Sequence, residues 1–240
     1  MSTHSLTNIL KREDCIYTSC YCEENVYQIC KSVVDGVKAN GNAHYSKESY
    51  AVFISSPKRV VPIWKQKSCK DPGSYVAWDY HVIFIQKDSQ TEQVYVYDLD
   101  TVLPFPTTFK DYFEASFLPV QTCPPHINIH QWFRIVSAKH FVKSFASDRH
   151  HMLNSDGLSY QMPPPEYPCI STANSTHNLD KFWQCDKSDI TPSDTFNGIF
   201  TPSVWKKYSV GAELAEQIDA KANEKYGVCV NKFEFFHFFG

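Results

Sequence analysis

After Cys22, apolar residues recur three or four positions apart, which predicts an amphipathic helix with Cys22 in its first turn. The apolar positions on this face are Val26, Ile29, Cys30, Val33 and Val37. The preceding residues, Tyr17 to Tyr21, are predicted to be extended. Cys22 would therefore lie on the buried face of the helix, at the end where free backbone N–H groups and the helix dipole favour a negative charge. A cysteine in that position is a candidate thiolate nucleophile.

Short apolar runs bounded by turn residues follow this helix and predict strands. We expect strands at residues 50–54, 60–64, 75–86, 93–98 and 132–138. Pro62 assigns the second of them to an edge or an irregular strand. Further helices are expected at residues 109–117, 140–146 and 212–225. This order of elements predicts an α+β fold in which an antiparallel sheet packs against the helix that carries Cys22.

Two neighbouring strands offer partners for Cys22. His81 opens one apolar run and Asp98 closes the next. In a hairpin centred midway between the two runs, Ile85 lies opposite Val94 and His81 lies opposite Asp98, with their Cβ atoms roughly 5 Å apart on one face. That face is otherwise β-branched, which suits packing under a helix such as the one that begins at Cys22. The carboxylate can accept a hydrogen bond from one imidazole nitrogen and leave the other free.

This set of side chains has the logic of a Cys-His-Asp triad, in which a thiolate attacks, an imidazole transfers protons and a carboxylate orients the imidazole. The register is not fixed by the sequence, because the turn has no Asn-Gly pair and both faces are apolar. A slip of one residue would put His81 and Asp98 on opposite faces. Asp79 and Asp100 are alternative carboxylates.

Simpler interpretations apply to several of the nine cysteines. Cys30 is expected to be a small buried hydrophobic residue, and Cys20 lies in the extended segment, pointing away from Cys22. Cys15, Cys20, Cys22 and Cys69 could together hold zinc, but Cys-x-Cys is a poor spacing for a structural zinc site and no Cys-x-x-Cys pair is present. An odd cysteine count with irregular spacing predicts no disulfide framework, so free thiols are expected.

Two other pairs of residues have structural as well as functional interpretations. Glu23 and Glu24 suit the positive end of the helix dipole, yet as negative charges they oppose formation of a thiolate next to them. His150 and His151 resemble a pair of metal ligands, but such a pair is more typical of a solvated loop.

Composition excludes some classes of function. A formal net charge of -3 with no basic stripe argues against nucleic acid as the main partner. No apolar run approaches the roughly 18 residues of a membrane span. The polar segment from Met1 to Asp14 lacks the apolar core of a signal peptide, so we expect the protein in the cytoplasm or nucleus.

Seven segments closely resemble the protein N-terminal glutamine amidohydrolases, in order, from about residue 14 to about residue 207. They are Tyr17–Val26, Ala51–Ser55, Pro62–Gln66, Trp78–Val82, Tyr97–Pro106, Phe145–Arg149 and Pro163–Ile170. Members of this family convert the N-terminal glutamine of a protein to glutamate and release ammonia, and the product can be arginylated and enter the N-degron route.

The resemblance implies a papain- or transglutaminase-like fold and a monomer that needs no metal or organic cofactor. It also implies a triad. The nucleophile falls on the cysteine immediately before Glu-Glu-Asn, which is Cys22. The histidine of Trp-Asp-Tyr-His is His81, and the first aspartate of Tyr-Asp-Leu-Asp is Asp98.

A substrate with a free α-ammonium group calls for an acceptor beside the nucleophile. Glu23, Trp78 and Asp79 are the candidate substrate-binding residues, with Glu24 as an alternative to Glu23. Other activities stay open: a cysteine peptidase, a transglutaminase-type acyl transfer to an amine, or a degradation-pathway adaptor in which Cys22 is only a core residue.

The domain organisation expected from these patterns is a single catalytic domain over residues 1–207. Residues 208–240 form an extension that contains the predicted helix at 212–225, and nothing in the sequence assigns it a role. The aromatic run from Phe233 to Phe239 at its end has no explanation at this level.

Overall fold

Helices and strands are interspersed along the chain, in agreement with the predicted α+β class. The computed structural model describes residues 10–40, 48–88, 91–117, 130–185 and 212–240. The helices are α1 (Cys22–Asn40), α2 (Phe109–Phe117), α3 (Ala138–Ser144), α4 (Asp180–Trp183), α5 (Ala212–Ala222) and α6 (Lys232–Phe239). The strands are β1 (Ser49–Ser55), β2 (Val61–Trp64), β3 (Tyr75–Trp78), β4 (His81–Lys87), β5 (Val94–Tyr97), β6 (Thr107–Thr108), β7 (Trp132–Ser137) and β8 (Val228–Asn231).

Six of the strands form one antiparallel sheet in the order β6-β5-β4-β1-β7-β8. Strands β2 and β3 pair separately in a small two-stranded sheet, where Pro62 lies on an edge as predicted. The strand predicted at 75–86 is therefore wrong as a single element. The chain leaves the small sheet after Trp78 and enters the large one at His81, and Asp79 and Tyr80 between them are not in a strand.

The large sheet is covered on both faces, because alternate side chains of its central strand β1 belong to two different cores. Ala51 and Phe53 pack against α1, α3 and α4. Val52 and Ile54 pack into the opposite core, which also takes in side chains of α2, α5 and α6. All four side chains are fully buried. This explains why the strand is a continuous apolar run without alternation.

Helix α1 begins at Cys22, as the periodicity predicts. Val26, Ile29 and Cys30 are 3%, 2% and 0% exposed, so the predicted face is the buried one. The helix packs on β4 and β1 and against α3. Burial of this face fixes the direction of the helix, and hence the position of its N-terminal end.

The C-terminal residues complete the large sheet and one of its cores. Strand β8 pairs with β7 at the edge of the sheet. Helix α6 begins with a capping box, in which the Asn231 side chain accepts the Glu234 N–H and the Glu234 carboxylate accepts the Asn231 N–H. The Phe235 ring then stacks on Phe133 of β7 at 4.1 Å between ring centroids. The aromatic C-terminal residues are thus part of the hydrophobic core.

A single glycine sets the approach to β8. Gly227 has a φ of 65°, and a Cβ at this position would lie 2.0 Å from the backbone oxygen of Ile135. Only glycine fits both the left-handed conformation and this close contact. The domain boundary predicted at residue 207 lies outside the described residues and stays a prediction.

Cys185 and Cys229 form a disulfide across a separation of 44 residues, with their Cα atoms 6.1 Å apart. The expectation of free thiols throughout is wrong for this pair. The two cysteines are brought together by the docking of β8, which no sequence pattern indicated. Among the described residues, Cys15, Cys20, Cys22, Cys30, Cys69 and Cys169 are free.

A search of the described residues finds no helix long and apolar enough to span a membrane.

Candidate active site

The segment before α1 is held in place by the first turn of the helix. The Asn25 side chain accepts the Thr18 N–H and donates to the Thr18 carbonyl, both at 2.8 Å. Cys20 takes a left-handed conformation, with a φ of 67°. Cys20 therefore lies in a turn and not, as predicted, in an extended conformation, and this turn leads into the helix.

The surroundings of Cys22 disfavour its thiolate form. Burial raises the pKa of Cys22 well above its ordinary value, and the Glu23 charge raises it further, whereas the backbone of Val82 lowers it. The sulfur lies 3.7 Å from Oε2 of Glu23. The helix dipole is therefore not sufficient to hold a thiolate at rest, and a base must accept the proton during a reaction.

His81 and Asp98 contact each other as predicted, with Nε2 of His81 3.0 Å from Oδ1 of Asp98. Because a carboxylate only accepts, Nε2 carries the proton. Nδ1 of His81 is buried and has no hydrogen-bond partner. The imidazole therefore has one nitrogen without a partner. The residue after His81 is Val82, whose backbone neighbours the Cys22 sulfur. Trp78 stacks on the ring at 5.4 Å between centroids.

Asp98 is surrounded by donors. Oδ1 accepts the His81 ring N–H and the Asp100 backbone N–H at 2.9 Å, and Oδ2 accepts from Gln66 at 3.0 Å and from the Tyr112 hydroxyl at 2.8 Å. Burial alone would raise the pKa of Asp98, but His81 and these hydrogen bonds lower it to about 2. The group is a permanently ionised carboxylate that orients His81.

The charge of Asp98 acts back on the imidazole. Burial lowers the pKa of His81, but the attraction and hydrogen bond of Asp98 outweigh it and leave the pKa raised above 6.5. Asp100, the first alternative carboxylate, accepts a hydrogen bond from the Tyr17 hydroxyl at 2.6 Å. Burial raises the pKa of Asp100, so it is the less acidic of the two.

The predicted hairpin register is wrong by two residues. Ile85 pairs with Val96, not with Val94. A turn closed by the Asp88 N–H and the Gln93 carbonyl sets this register, with Glu92 in a left-handed conformation. A shift of two residues preserves the face of every side chain. The ring of His81 therefore still reaches the carboxylate of Asp98, although the two are not directly opposed.

The helices that cover the His81 and Asp98 face of the hairpin also differ from the prediction. Ile83, Ile85 and Val96, which share the side of His81 and Asp98, pack in the core with α2, α5 and α6. Helix α1 covers the other face, where Val82 and Phe84 point. Cys22 is connected to this face through Val82, which follows His81 in the chain and whose backbone neighbours the Cys22 sulfur.

The three predicted substrate-binding residues have different surroundings. Glu23 is fully buried; its Oε2 accepts from the Tyr80 hydroxyl at 3.0 Å and its Oε1 has no hydrogen-bond partner. Trp78 contributes its ring to His81, and its buried Nε1 is also unpartnered. Asp79 has a 51% exposed side chain that is paired with Arg59 at 2.8 Å.

Glu24 is occupied in a structural contact. Nε and one terminal nitrogen of Arg149 each donate to one oxygen of Glu24 at 2.9 Å, a buried bidentate pair. Arg149 also donates to the carbonyls of Pro165 and Tyr167. This pair ties the first turn of α1 to residues 149–167, so the alternative role of Glu24 as an amine acceptor is unsupported.

Sequence reasoning missed Tyr112, Tyr80 and the partner of Glu24. Gln66 and Arg149 lie in segments that carried the family resemblance, which could have pointed to them. Tyr112 lies on a predicted helix with no local signal. Among the described residues, no group of converging metal-ligand atoms includes the four cysteines considered for zinc.

Known proteins share the sequence of most of this chain. The sequence model of the N-terminal glutamine amidase family matches residues 17–239. A protein N-terminal glutamine amidohydrolase of Bos taurus is 42% identical over 175 residues, covering 73% of this chain and 80% of the relative. Relatives of the same name from Danio rerio and Drosophila melanogaster are 43% and 42% identical, over 70% and 72% of this chain and 78% and 80% of their own lengths. The chain belongs to the N-terminal glutamine amidase family.

Proposed function

We propose that this protein is a thiol amidohydrolase that converts the N-terminal glutamine of proteins to glutamate and releases ammonia. The name of its relatives supports the substrate. The observation that carries the chemistry is the buried His81, which is bonded through Nε2 to Asp98, keeps a free Nδ1 and precedes Val82, whose backbone neighbours the Cys22 sulfur. A cysteine at the start of a helix on an antiparallel sheet that carries His and Asp supports the papain- or transglutaminase-like arrangement.

In the proposed first step, Nδ1 of His81 takes the proton of the Cys22 thiol as the sulfur attacks the carboxamide carbon of the glutamine side chain. Backbone N–H groups at the start of α1 stabilise the oxyanion. The imidazolium then gives its proton to the leaving nitrogen, and the C–N bond breaks to release ammonia and a thioester. Asp98 keeps the imidazole in the tautomer that this transfer needs.

In the second step, a water molecule gives a proton to Nδ1 of His81 and adds to the thioester carbon. Collapse of the intermediate breaks the C–S bond and returns the proton to the Cys22 sulfur. The product is a side-chain carboxylate, so the N-terminal residue is now glutamate. No metal or organic cofactor enters this sequence of steps.

We propose Glu23 as the acceptor for the substrate's α-ammonium group. Oε1 of Glu23 makes no hydrogen bond, although Nε2 of His151 lies 3.4 Å away. An ammonium group would give this buried oxygen a hydrogen-bond donor and would balance the charge. Its position beside Cys22 in the chain suits a substrate whose amine and carboxamide belong to one residue. Trp78 would line the same site through its contact with His81. Asp79 is the weaker candidate, because Arg59 neutralises it at the surface.

The proposed partners are proteins or peptides with a free N-terminal glutamine, bound by a monomer. Nucleic acid and membranes have no part in the proposal. A location in the cytoplasm or nucleus stays a prediction.

The test is incubation with a short peptide that begins with glutamine, followed by ammonia release and peptide mass. The proposal predicts ammonia and the mass change of an amide converted to an acid. Peptide fragments would instead indicate a peptidase, and an adduct with an added amine would indicate acyl transfer. An unchanged peptide would indicate the non-catalytic adaptor.

Two matched substrates locate the amine site. A peptide with an acetylated N-terminus should be a poor substrate, because it cannot form the ammonium contact with Glu23. A peptide that begins with asparagine should also react slowly, because one methylene fewer leaves its carbonyl short of Cys22. For Glu23→Gln, a rise in KM with the free-amine peptide, absent for the acetylated one, would identify Glu23 as the acceptor; equal effects on both would refute that role.

A further inference from the structure

Asp148, His150 and His177 form a cluster next to the candidate active site that the proposed reaction does not use. One ligand atom from each side chain lies within 4.8 Å of the others. Asp148 and His150 belong to the turn at residues 147–152, and His177 comes from a separate loop. The cluster thus joins two distant segments of the chain.

These two segments are held together independently of the cluster. The Asn178 side chain accepts the Ala146 N–H at 2.9 Å and donates to the Ser144 carbonyl at 2.7 Å, and its own N–H donates to the Ala146 carbonyl. His177 is therefore positioned by its neighbour Asn178. The three side chains meet on a backbone frame that does not depend on their attraction.

The contacts inside the cluster resemble ligands that converge on a shared point. Nδ1 of His177 lies 2.9 Å from Oδ1 of Asp148 and is shielded from solvent, yet it does not meet the geometry of a hydrogen bond. Nδ1 of His150 is hydrogen-bonded to the same oxygen at 2.6 Å, and that oxygen also accepts the His150 backbone N–H at 3.1 Å. The two imidazole rings are 4.0 Å apart between centroids.

We propose that Asp148, His150 and His177 bind one zinc ion through a carboxylate oxygen and two imidazole nitrogens, with the fourth coordination position open. Two imidazoles and a carboxylate suit zinc, whereas magnesium and calcium prefer oxygen ligands. Tetrahedral zinc would need these ligand atoms about 3.3 Å apart. The side chains of Asp148 and His150, 40% and 57% exposed, have the freedom to make that adjustment.

The zinc site would be coupled to the first turn of α1, because the segment 147–152 that carries Asp148 and His150 also carries Arg149 and His151. Arg149 holds Glu24, and Nε2 of His151 lies 3.4 Å from Oε1 of Glu23. Zinc at the cluster would fix the segment that borders the proposed amine site. The proposal on zinc does not depend on the identity of the substrate.

Zinc binding is tested by titration of the full chain against a chromophoric zinc chelator. The wild-type protein should take up one equivalent of zinc that His177→Ala and His150→Ala bind at least tenfold more weakly. His130→Ala is the matched control, since His130 is exposed and outside the cluster, and it should bind zinc as the wild type does. Because the His150 side chain is largely exposed, His150→Ala decides the question if His177→Ala fails to fold.

Cobalt(II) separates this site from the free cysteines. The proposal predicts a visible ligand-field spectrum without the near-ultraviolet charge-transfer band of a cobalt–thiolate bond. Equal zinc affinity in the wild type and in His150→Ala, no zinc binding at all, or a thiolate band at one equivalent of cobalt would each overturn it.

Discussion

The two faces of the large sheet differ in what they contribute. The face under α1 supplies the candidate nucleophile, and its core is built from the predicted helix and from alternate residues of β1 and β4. The opposite face supplies His81 and Asp98, and its core joins the other alternate residues of β1 and β4 to aromatic side chains of α2 and α6. The candidate triad therefore spans the sheet. Neither face can assemble it alone.

This difference explains why the C-terminal elements matter for a site that they do not enter. Helix α2 carries Tyr112, which donates to Asp98, and α2 packs through Phe109 and Phe113 against Phe235 of α6. The aromatic core thus supports the carboxylate from behind. On the other face, the pair between Glu24 and Arg149 supports the start of α1. Each half of the triad has its own support.

The largest effect is expected from removing the nucleophile. Cys22→Ala should reduce deamidation of a glutamine peptide by about five to six orders of magnitude, because no other group can form the thioester. Cys20→Ala is the matched control and should keep near wild-type activity, since Cys20 lies in the turn before α1 and not in the helix that carries Cys22. Full activity in Cys22→Ala, or loss of activity in Cys20→Ala, would show that Cys22 is not the nucleophile.

Removing the charge on the opposite face should cost less. Asp98→Asn should lower kcat by about 10⁴-fold, because the neutral amide no longer selects the Nε2–H tautomer of His81. Asp79→Asn, a change on the exposed aspartate, should leave kcat close to the wild-type value. If both variants had the same kcat, Asp98 would not be the orienting carboxylate.

A substitution in the aromatic core should lower the stability of the fold more than the rate of the reaction. Phe235→Ala should lower the free energy of unfolding by about 3–5 kcal/mol, because it removes a fully buried ring from the stack on Phe133. Leu158→Ala is the control, since this side chain is 87% exposed and should change stability by less than about 0.5 kcal/mol. Denaturant unfolding measures both. A Phe235→Ala protein as stable as the control would mean that α6 is not part of the core.

The smallest effect is a displacement of the pH profile. The base must be neutral to accept the thiol proton, so kcat/KM should fall as the pH decreases through the pKa of His81, above 6.5. In Asp98→Asn the largest cause that raises this pKa is removed, and burial, which lowers it, remains. The residual activity should therefore persist to lower pH than in the wild type. An acidic limb that stays in place would show that Asp98 does not set the pKa of His81.

The helix at Cys22 and most strands could be predicted because apolar periodicity reports burial directly. The register of β4 and β5 could not, because the turn that sets it has no sequence signature and depends on a left-handed Glu92. The break between β3 and β4 was missed since Asp79 and Tyr80 lie inside one apolar run. Long-range partners such as Tyr112 and Arg149 come from packing, which a local pattern does not contain.

The C-terminus shows the same limit. Its aromatic run was visible, but a strongly apolar helix carries no information on which surface it covers. The family resemblance reached Cys22, His81 and Asp98 at once, whereas spacing alone reached them with the wrong register and the wrong covering helix. The parity of the register was right, and parity is what decides whether two side chains of a hairpin share a face.

The most direct test of the proposed triad is the mass of the intact protein after rapid acid quenching of its reaction with a glutamine peptide. The account predicts a covalent acyl-enzyme whose added mass is that of the peptide less one ammonia, mapped to Cys22 by proteolysis. It should be absent in Cys22→Ala and present in Cys20→Ala. Release of ammonia at the wild-type rate by Cys22→Ala, or an acyl group mapped to another residue, would contradict the account.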